Sequence, residues 1–497
     1  MKKTKGFTRF LEMVPGISVW AVLLLPLILL PSFPVAIAII VIIFDIYWLY
    51  KSLIMGYHLT CGYYNLKSGM KTDWKEKFEK LNNHDSIYQV LILASYKDDF
   101  EVLDKSIEAI ELNDFDKNKI IVVLAAEERE KDRIEPILAD LEKKYKHSFK
   151  KFLITYHPDN IEGEMKAKGA NATWAARKLK IYLEAEKIDF EKVIVTTADS
   201  DTRIHRHYFN CVGYKFLLSD DPIHTAFQSM PIYSNNIWRV NPINRILAFG
   251  ASFWQLIEGT RPWRLITFAI HAMSMQTLVD MNFWEVGVVN EDSRQFWRAY
   301  FHYNGRFKVV PIFLPASMDA VFAPRLVETL KNQYKQRQRW AYGIEHFPYV
   351  VQSTLKMKYR FFDKWIKVYR MLEGEISLAT ASFYISIIGW LPIWFNNGFK
   401  NTVLATNLPI VGKTLLSLTW VGLIITVWIS LKLLPPRPAG FRKRKFIPMI
   451  AQWVLVPISA IFISSLSAID SATRLMFGKY MGFWTTPKIQ IDLPEKK

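Results

Sequence analysis

Val193-Ile194-Val195-Thr196-Thr197-Ala198-Asp199-Ser200-Asp201 decides how this chain is read. Residues 193–197 are all apolar or β-branched, a run of the length and composition of a buried strand. It gives way to small Ala198 and then to two carboxylates one residue apart. Carboxylates so placed at a strand end point into one crevice, and hard oxygen ligands there suit Mg²⁺ or Mn²⁺ held together with substrate phosphates. The bare Asp-x-Asp pattern also arises by chance in loops and turns, so its weight comes from what surrounds it.

Moving outward, three earlier stretches repeat the strand signal. Residues 86–95 read Ser-Ile-Tyr-Gln-Val-Leu-Ile-Leu-Ala-Ser, and residues 119–126 and 152–156 are further buried runs. Between them lies amphipathic helical sequence: Val102, Leu103, Ile107 and Ile110 keep helical spacing within 101–111, and 134–145 and 172–186 behave alike. This alternation predicts an α/β sandwich with a mostly parallel sheet. Ligands of such sheets bind beyond the carboxyl ends of the strands, so the residues just after each strand are the candidates.

The ends of the chain have a different character. Hydrophobic residues make up 51% of the 497 positions and aromatics 14%, above the load of an ordinary soluble domain. The excess collects in runs at 17–30 and 35–54, separated by Pro31-Ser32-Phe33-Pro34, and at 376–395, 415–434 and 446–468. The first two predict a helical hairpin rather than a cleaved leader, because no small-residue cleavage site separates them. Lys2, Lys3, Lys5 and Arg9 before the hairpin and Lys51 and Lys67 after it place both its ends in the cytoplasm. Asp45, within the second run, is expected to face protein or water. Arg437, Arg442, Lys443, Arg444 and Lys445 put the chain on the cytoplasmic side again. The last run holds Pro448 and Pro457 and reads as a kinked span or a re-entrant segment, for a total of four to six crossings. The expected organisation is a hairpin at 1–56, a cytosolic α/β domain at 57–350, an interfacial helix at 351–373, a membrane region at 374–470 and a cytosolic tail at 471–497, in a multi-pass protein of the plasma (inner) membrane.

Lys plus Arg exceed Asp plus Glu by 64 to 46, a formal net charge of +18. Such a surplus suits lipid headgroups, nucleotide phosphates or nucleic acid; beside membrane spans it is read as charge at the bilayer surface, and no nucleic-acid partner is expected. Cys61 and Cys211 are too few for a disulfide framework or a zinc site and read as ordinary thiols.

Two further constellations carry chemistry. Asn290-Glu291-Asp292 follows Phe283-Trp284-Glu285-Val286-Gly287, and an acidic pair beside an aromatic cleft suits a general base. The bland reading, acidic residues favourable to a helix N-terminus, is as good for the pair alone. In Gln336-Arg337-Gln338-Arg339-Trp340, an amide, a guanidinium and an indole share one helix face, which offers a phosphate clamp and an aromatic platform for a sugar, or else an interfacial basic helix anchored by Trp340. His205 and His207 follow Asp201 closely but read as solvated and are left out of the metal site.

Taken in order, Asp199-x-Asp201, Asn290-Glu291-Asp292 and Gln336-x-x-Arg339-Trp340, flanked by membrane spans, resemble the processive-type family 2 inverting glycosyltransferases, the membrane enzymes like cellulose synthase and hyaluronan synthase. The resemblance covers about residues 88–340, and Gln-x-x-Arg-Trp is its most specific part. It implies a GT-A nucleotide-diphosphate-sugar-binding α/β domain inserted between transmembrane helices, with interfacial helices beneath it. It also implies a UDP-sugar donor, a polysaccharide or lipid acceptor, and Mg²⁺ or Mn²⁺ as cofactor. On this likeness Asp201 would bind the metal together with Asp199, which would also hold the sugar side of the donor. Asp292 would be the catalytic base with Glu291 beside it. Gln336 and Arg339 would meet the diphosphate, and Trp340 would stack near the acceptor. Ala94-Ser95-Tyr96-Lys97-Asp98 is similar to the family's Pro-x-Tyr-Asn-Glu, implying uridine contacts from Tyr96 and Asp98, with alanine in place of the proline. Where an aspartate is usual the chain has Glu127, and Lys168-Gly169-Ala170-Asn171 resembles Lys-x-x-Asn, with Lys168 near phosphate. Asn290 stands where the family has threonine. Residues 232–281 have no familiar counterpart and are expected to build the acceptor site or interfacial helices. Phe483-Trp484-Thr485-Thr486-Pro487-Lys488 is similar to a cytosolic gating stretch, which conflicts with three plain crossings after the α/β domain. The readings that follow are a polysaccharide synthase coupled to secretion, a glycolipid synthase, and, outside enzymes, a membrane nucleotide-binding scaffold. None of these motifs selects a sugar, since donor choice depends on pocket shape.

Overall fold

A computed structural model describes residues 6–395, 397–438 and 446–487. The apolar runs of the sequence form four parallel strands: β1 (Tyr88–Ala94), β2 (Ile120–Glu127), β3 (Lys151–His157) and β4 (Val193–Asp199). Their carboxyl ends lie flush, with Ala94 paired to Ala125 on one side and to Asp199 on the other. Side chains alternate between faces along each strand. Val90 and Ile92 pack with Ala172, Ala176 and Leu179 of the helix Lys168–Ala185, while Leu91 and Leu93 pack with Leu103 and Ile107 of the helix Phe100–Glu111.

Four more strands complete an eight-stranded sheet: β5 (Arg203–Ile204), β6 (Thr225–Tyr233), β7 (His271–Ser274) and β8 (Lys308–Met318), in the order β3-β2-β1-β4-β7-β6-β8-β5. β7 runs antiparallel to both β4 and β6, and β5 is antiparallel to β8, while β6 and β8 pair parallel; the sheet is mixed, with β1–β4, β6 and β8 all running the same way. β7 left no apolar run to read, because its four residues, His-Ala-Met-Ser, lie wholly buried between neighbours and need no alternation.

Among the described residues, four helices are long and apolar enough to cross a membrane: Gly6–Leu29, Pro34–Lys71, Val403–Lys432 and Phe446–Met476. A fifth candidate is the bent pair Phe361–Ser386 and Ile388–Trp394, which turns by 46°. The expected interfacial helix at 351–373 is thus divided: Phe347–Lys356 is separate, and the remainder is continuous with the apolar segment that follows. The second helix has 38 residues, about 57 Å at 1.5 Å per residue, against a hydrocarbon core of about 30 Å. Its second half therefore continues past the expected end near residue 54 and becomes a wall of the α/β domain. Small residues permit that contact: a Cβ at Gly62 would lie 2.5 Å from the Leu256 carbonyl oxygen, and one at Gly69 would strike that of Phe313. Asp45 is buried and faces the helix Val403–Leu418, where a Cβ at Gly412 would lie 3.3 Å from its Oδ2. Arg9 and Arg437 are described, whereas Lys2, Lys3, Lys5, Arg442, Lys443, Arg444, Lys445 and Lys488 lie outside the described residues.

The last candidate span touches the α/β domain at both ends. Near its start Gln452 accepts from Arg245 (3.0 Å), and Trp453 stacks on Phe249 and Phe253. Near its end Tyr334 donates to the Leu466 carbonyl (3.3 Å) and Ser471 to that of Gln338 (2.8 Å). Gly478, at φ +68°, closes this helix: its N–H donates to Leu475 and that of Lys479 to Arg474, a left-handed cap that turns the chain back.

Candidate active site

At the end of β1, Tyr96 and Asp98 sit in a tight turn in which Lys97 takes φ +61°, held by its N–H donating to both carboxylate oxygens of Glu130 (2.8 and 3.0 Å). The Tyr96 N–H donates to Asp98 Oδ2 (3.1 Å), and the Arg129 guanidinium lies 4.0 Å from the centre of the Tyr96 ring. At the end of β2, Glu127 is buried, with the His157 ring 3.3 Å behind it. His157 also meets Glu164 (2.9 Å); burial opposes its charge, but the two carboxylates prevail and raise its pKa. The combination is an aromatic–guanidinium platform beside two buried carboxylates, suited to a planar base and a ribose.

β4 delivers Asp199 at its last residue, where the Lys168 ammonium meets it at 2.9 Å. The same Nζ reaches Asp292 Oδ1 (3.2 Å) and donates to the Ala269 carbonyl (2.9 Å). Burial disfavours the charge on Lys168, and Asp199, Asp292 and Glu291 overcome it, so its pKa is raised. The structure thus puts Lys168 between carboxylates of two motifs separated by nearly a hundred residues. Lys168 is the first residue of its helix, whose N-cap, Ala167, supplies no side-chain acceptor, so the leading N–H groups are left for another anion. Gly169 is required where this helix starts, because a Cβ there would lie 2.7 Å from the Glu285 carbonyl oxygen and 2.8 Å from Glu291 Cβ.

Glu291 and Asp292 open the helix Glu291–His302 and take different environments. Glu291 is buried, and burial together with the neighbouring Asp292 pushes its carboxyl up to about 8. Asp292 keeps 23% of its side chain exposed. His271 stands 3.9 Å from it; its Nδ1 meets the Phe268 carbonyl (3.0 Å) and its Nε2 the Trp284 indole N–H (3.4 Å). Donation to the one and acceptance from the other require a neutral ring, in accord with the pKa that burial lowers.

The third motif lies on the helix Leu326–Ala341. Arg337 lies under the Trp340 ring (5.0 Å) and donates to the Leu247 carbonyl, and burial pushes it down to about 10. Trp340 also meets Tyr233 at the end of β6 (5.9 Å). The Arg339 guanidinium lies 4.9 Å from the Phe483 ring, Gln336 reaches Thr486 (3.5 Å), and Lys335 lies over Trp484 (5.2 Å). The tail at 483–487 therefore covers the Gln-x-x-Arg-Trp helix. Asn290 joins this helix to the acidic pair: its amide donates to the Arg339 carbonyl (2.9 Å).

The residues that the resemblance assigns to the site border one cavity of ≈ 1290 Å³: Tyr96, Asp98 and Glu127 at one end, Lys168, Asp199, Asp201, Glu291 and Asp292 in the middle, and Gln336, Arg339 and Trp340 opposite. Asn171 of the Lys-x-x-Asn motif joins them, as do Tyr233, Asp319 and Glu375, which belong to no sequence motif. Asp319 follows β8 and its N–H donates to Asp201 Oδ2 (3.0 Å); it stands alone in sequence, without a motif. Ile246, Leu247, Gly250, Ala251, Phe253, Trp254 and Gln255 of the helix Pro242–Gly259 also border the cavity. His205 and His207 do not: His207 pairs with Asp114, which Asn210 also contacts, away from the cavity. Cys61 and Cys211 are unpaired thiols, and burial pushes Cys211 up to about 12.

Among the described residues no group of three or more His, Cys, Asp or Glu side chains is arranged to hold a metal ion by itself. Asp199 and Asp201 are nonetheless two hard-oxygen donors on one cavity wall, a donor set that fits a divalent cation completed by substrate phosphate oxygens.

No family model matches this chain, and no curated protein matches it by sequence. Among solved structures, the mannosyltransferase PcManGT from Pyrobaculum calidifontis, in complex with GDP-Man and Mn²⁺, is 13% identical and aligns over 86% of this chain and 98% of its own, with a TM-score of 0.38. TarS 1-349 from S. aureus, in complex with UDP-GlcNAc, is 12% identical over 79% of this chain and 91% of its own, with a TM-score of 0.36. The fold and chemistry described for this chain rest on its own geometry rather than on likeness at that level.

Proposed function

We propose that this chain is a membrane-embedded inverting glycosyltransferase that takes its sugar from a nucleoside-diphosphate donor, UDP-linked by the resemblance. The observation that carries the reading is the meeting of Asp199, Asp201, Lys168, Asp292 and Arg339 around one cavity, although they are scattered from residue 168 to 339. Tyr96, Asp98 and Glu127 receive the nucleoside. Asp292 accepts the proton of the acceptor hydroxyl as that oxygen bonds to the anomeric carbon from the face opposite the departing diphosphate, which inverts the configuration. Arg339 and the free N–H groups opening the helix at Lys168 stabilise the diphosphate charge. A Mg²⁺ or Mn²⁺ held by Asp199 and Asp201 would supply further countercharge to the leaving group.

The helical hairpins support a location at the plasma membrane with the α/β domain on the cytosolic side. Because the segment Phe446–Met476 contacts that domain at both ends, it is read as lying along the membrane surface rather than crossing. Four crossings then leave the tail at 483–487 on the catalytic side, which removes the conflict noted above. The Gln-x-x-Arg-Trp helix and the tail across it favour repeated addition to a polysaccharide. A lipid acceptor is favoured by the way the cavity runs on to Tyr47, Trp48 and Lys51 of the second helix.

Purified protein in nanodiscs, given a panel of UDP- and GDP-sugars with Mg²⁺ or Mn²⁺, is expected to release nucleoside diphosphate with at least one donor. Asp292→Asn is expected to lower that rate by about a thousandfold or more, the effect of removing a positioned base together with its charge. Absence of release with every donor, or full activity in Asp292→Asn, rules the reading out.

A further inference from the structure

The cavity does not end at Asp292. Thr267 donates to the Asp292 carbonyl (2.6 Å) and the Ala269 carbonyl accepts from Lys168, so residues 260–270 run directly past the base. The same segment carries Arg261 and Arg264 away from β4 toward the helices Pro34–Lys71 and Phe361–Ser386. There they border the cavity together with Lys51 and Arg370. Arg261 and Arg264 share one carboxylate, Glu258 (3.5 Å from Arg264), and Arg370 acts on that carboxylate as well. Lys51 is paired with Glu373, on which Arg264 also acts. Four cations against these two carboxylates leave an excess of positive charge on the cavity wall. Cations that merely anchor a protein to headgroups extend outward along their apolar stems, whereas Arg261 is only 7% exposed and its neighbours face the cavity.

A second observation points to a ligand. Glu375, five residues along the same helix from Arg370, is buried, borders the same cavity, and its Oε1 has no hydrogen-bond partner. A buried acceptor left so is costly unless a donor arrives, and a sugar hydroxyl is such a donor. Around this end stand exposed aromatic rings, Tyr50 (61%), Trp263 (57%) and Tyr369 (62%), of the kind that settle at a membrane–water interface.

We propose that this end of the cavity binds the phosphate of a membrane lipid whose sugar headgroup carries the acceptor hydroxyl. The acceptor is then a phosphate-linked glycolipid, with Arg261, Arg264 and Arg370 on the phosphate and Glu375 on a headgroup hydroxyl. The proposal rests on the glycosyl-transfer reading and specifies its acceptor. In the reaction, Asp292 takes the headgroup proton and the headgroup oxygen bonds to the anomeric carbon. The bond from that carbon to the donor diphosphate breaks, and its electron pair leaves with the nucleoside diphosphate. The lipid phosphate itself is unchanged and serves as the handle. Arginine suits it, since a planar guanidinium binds phosphate oxygens in pairs.

The test measures binding without turnover. Full-length protein in nanodiscs is titrated with polyprenyl-diphosphate-linked N-acetylglucosamine, a diacylglycerol glucoside lacking phosphate, and water-soluble N-acetylglucosamine 1-phosphate. The phosphate-linked lipid is expected to bind at least tenfold more tightly than either of the others. Arg264→Gln and Arg370→Gln are each expected to cut that preference at least fivefold, with Arg370→Lys recovering part of it and unchanged unfolding temperatures showing that the variants fold. Equal binding of the neutral glucoside, or an undiminished preference in both Gln variants, overturns the proposal. If the soluble sugar phosphate binds as tightly as the lipid, the phosphate assignment holds and the lipid one falls, which also overturns it. Donor hydrolysis in the absence of acceptor, and its loss in Asp292→Asn, is recorded in parallel. Its absence with every donor counts against glycosyl transfer alone, so the two failures are distinguishable.

Discussion

Asn290 shows how one side chain joins two motifs. Its amide donates to the Arg339 carbonyl, while its own N–H and that of Val289 donate to Glu345 Oε1 (3.2 and 2.9 Å). The threonine that the resemblance would place here has a shorter side chain and a single hydroxyl donor, so the amide is a local solution to a particular gap. Asn290→Ala should leave the fold intact and lower kcat by about tenfold to a hundredfold, as expected when a hydrogen bond of 1–3 kcal/mol that orients a catalytic group is lost; steady-state kinetics check it. Glu345 adds a pH dependence. Burial pushes its carboxyl up to about 7, against the pull of the two N–H groups and Arg294. Below the ordinary carboxylate range both folded and unfolded chains hold this proton, whereas between that range and pH 7 only the folded chain keeps it. Stability from this group is therefore present at low pH and lost as pH rises through about 7. Glu345→Gln keeps the oxygen acceptor and removes the titration. The difference in unfolding temperature, variant minus parent, should rise between pH 5 and pH 8 by the equivalent of roughly 1–3 kcal/mol.

Among the elements, the helix Pro34–Lys71 has two roles along its length. Its first part is apolar enough to cross a membrane, and its second part is a structural member of the α/β domain, pressed against the helix Pro242–Gly259 and β8. Contact that close depends on Gly62 and Gly69. Gly62→Val should destabilise by about 1–3 kcal/mol or more, because the Leu256 carbonyl it would strike is backbone and cannot swing away. Thermal unfolding in detergent is the measurement. The same packing explains why hydropathy located the beginning of this helix and not its end: beyond its apolar first part, its burial is set by a partner about 200 residues away, and its own sequence becomes mixed.

For the molecule as a whole, the tail at 481–487 links the membrane part to the site. It leaves the capped helix Leu466–Met476, and Met481 and Phe483 pack against the core beside the α/β domain. Arg339, Lys335 and Gln336 then meet Phe483, Trp484 and Thr486 in turn. Because the tail borders the same cavity as Asp292, the double variant Phe483→Ala, Trp484→Ala should raise the acceptor KM by about tenfold and leave the unfolding temperature nearly unchanged. Losing contacts of about 1 kcal/mol each from partly buried rings at the edge of the core has that effect. An equal fall in kcat at saturating acceptor would instead assign the tail to the chemical step.

Four buried strands, the helices between them and the apolar spans were determined by the sequence alone, because an uninterrupted apolar run or a helical stripe records the surroundings of the residues that carry it. The motif residues were legible as well, since carboxylates, a guanidinium and an indole at fixed spacing have few uses. The tertiary structure decided the rest. The short antiparallel β7, the bend after Ser386, the clamp of Lys168 between Asp199 and Asp292, the bond from Asn290 to Arg339, and the basic end of the cavity all join residues from distant parts of the chain. Such contacts depend on which surfaces the folded chain brings together, and no local pattern records that choice.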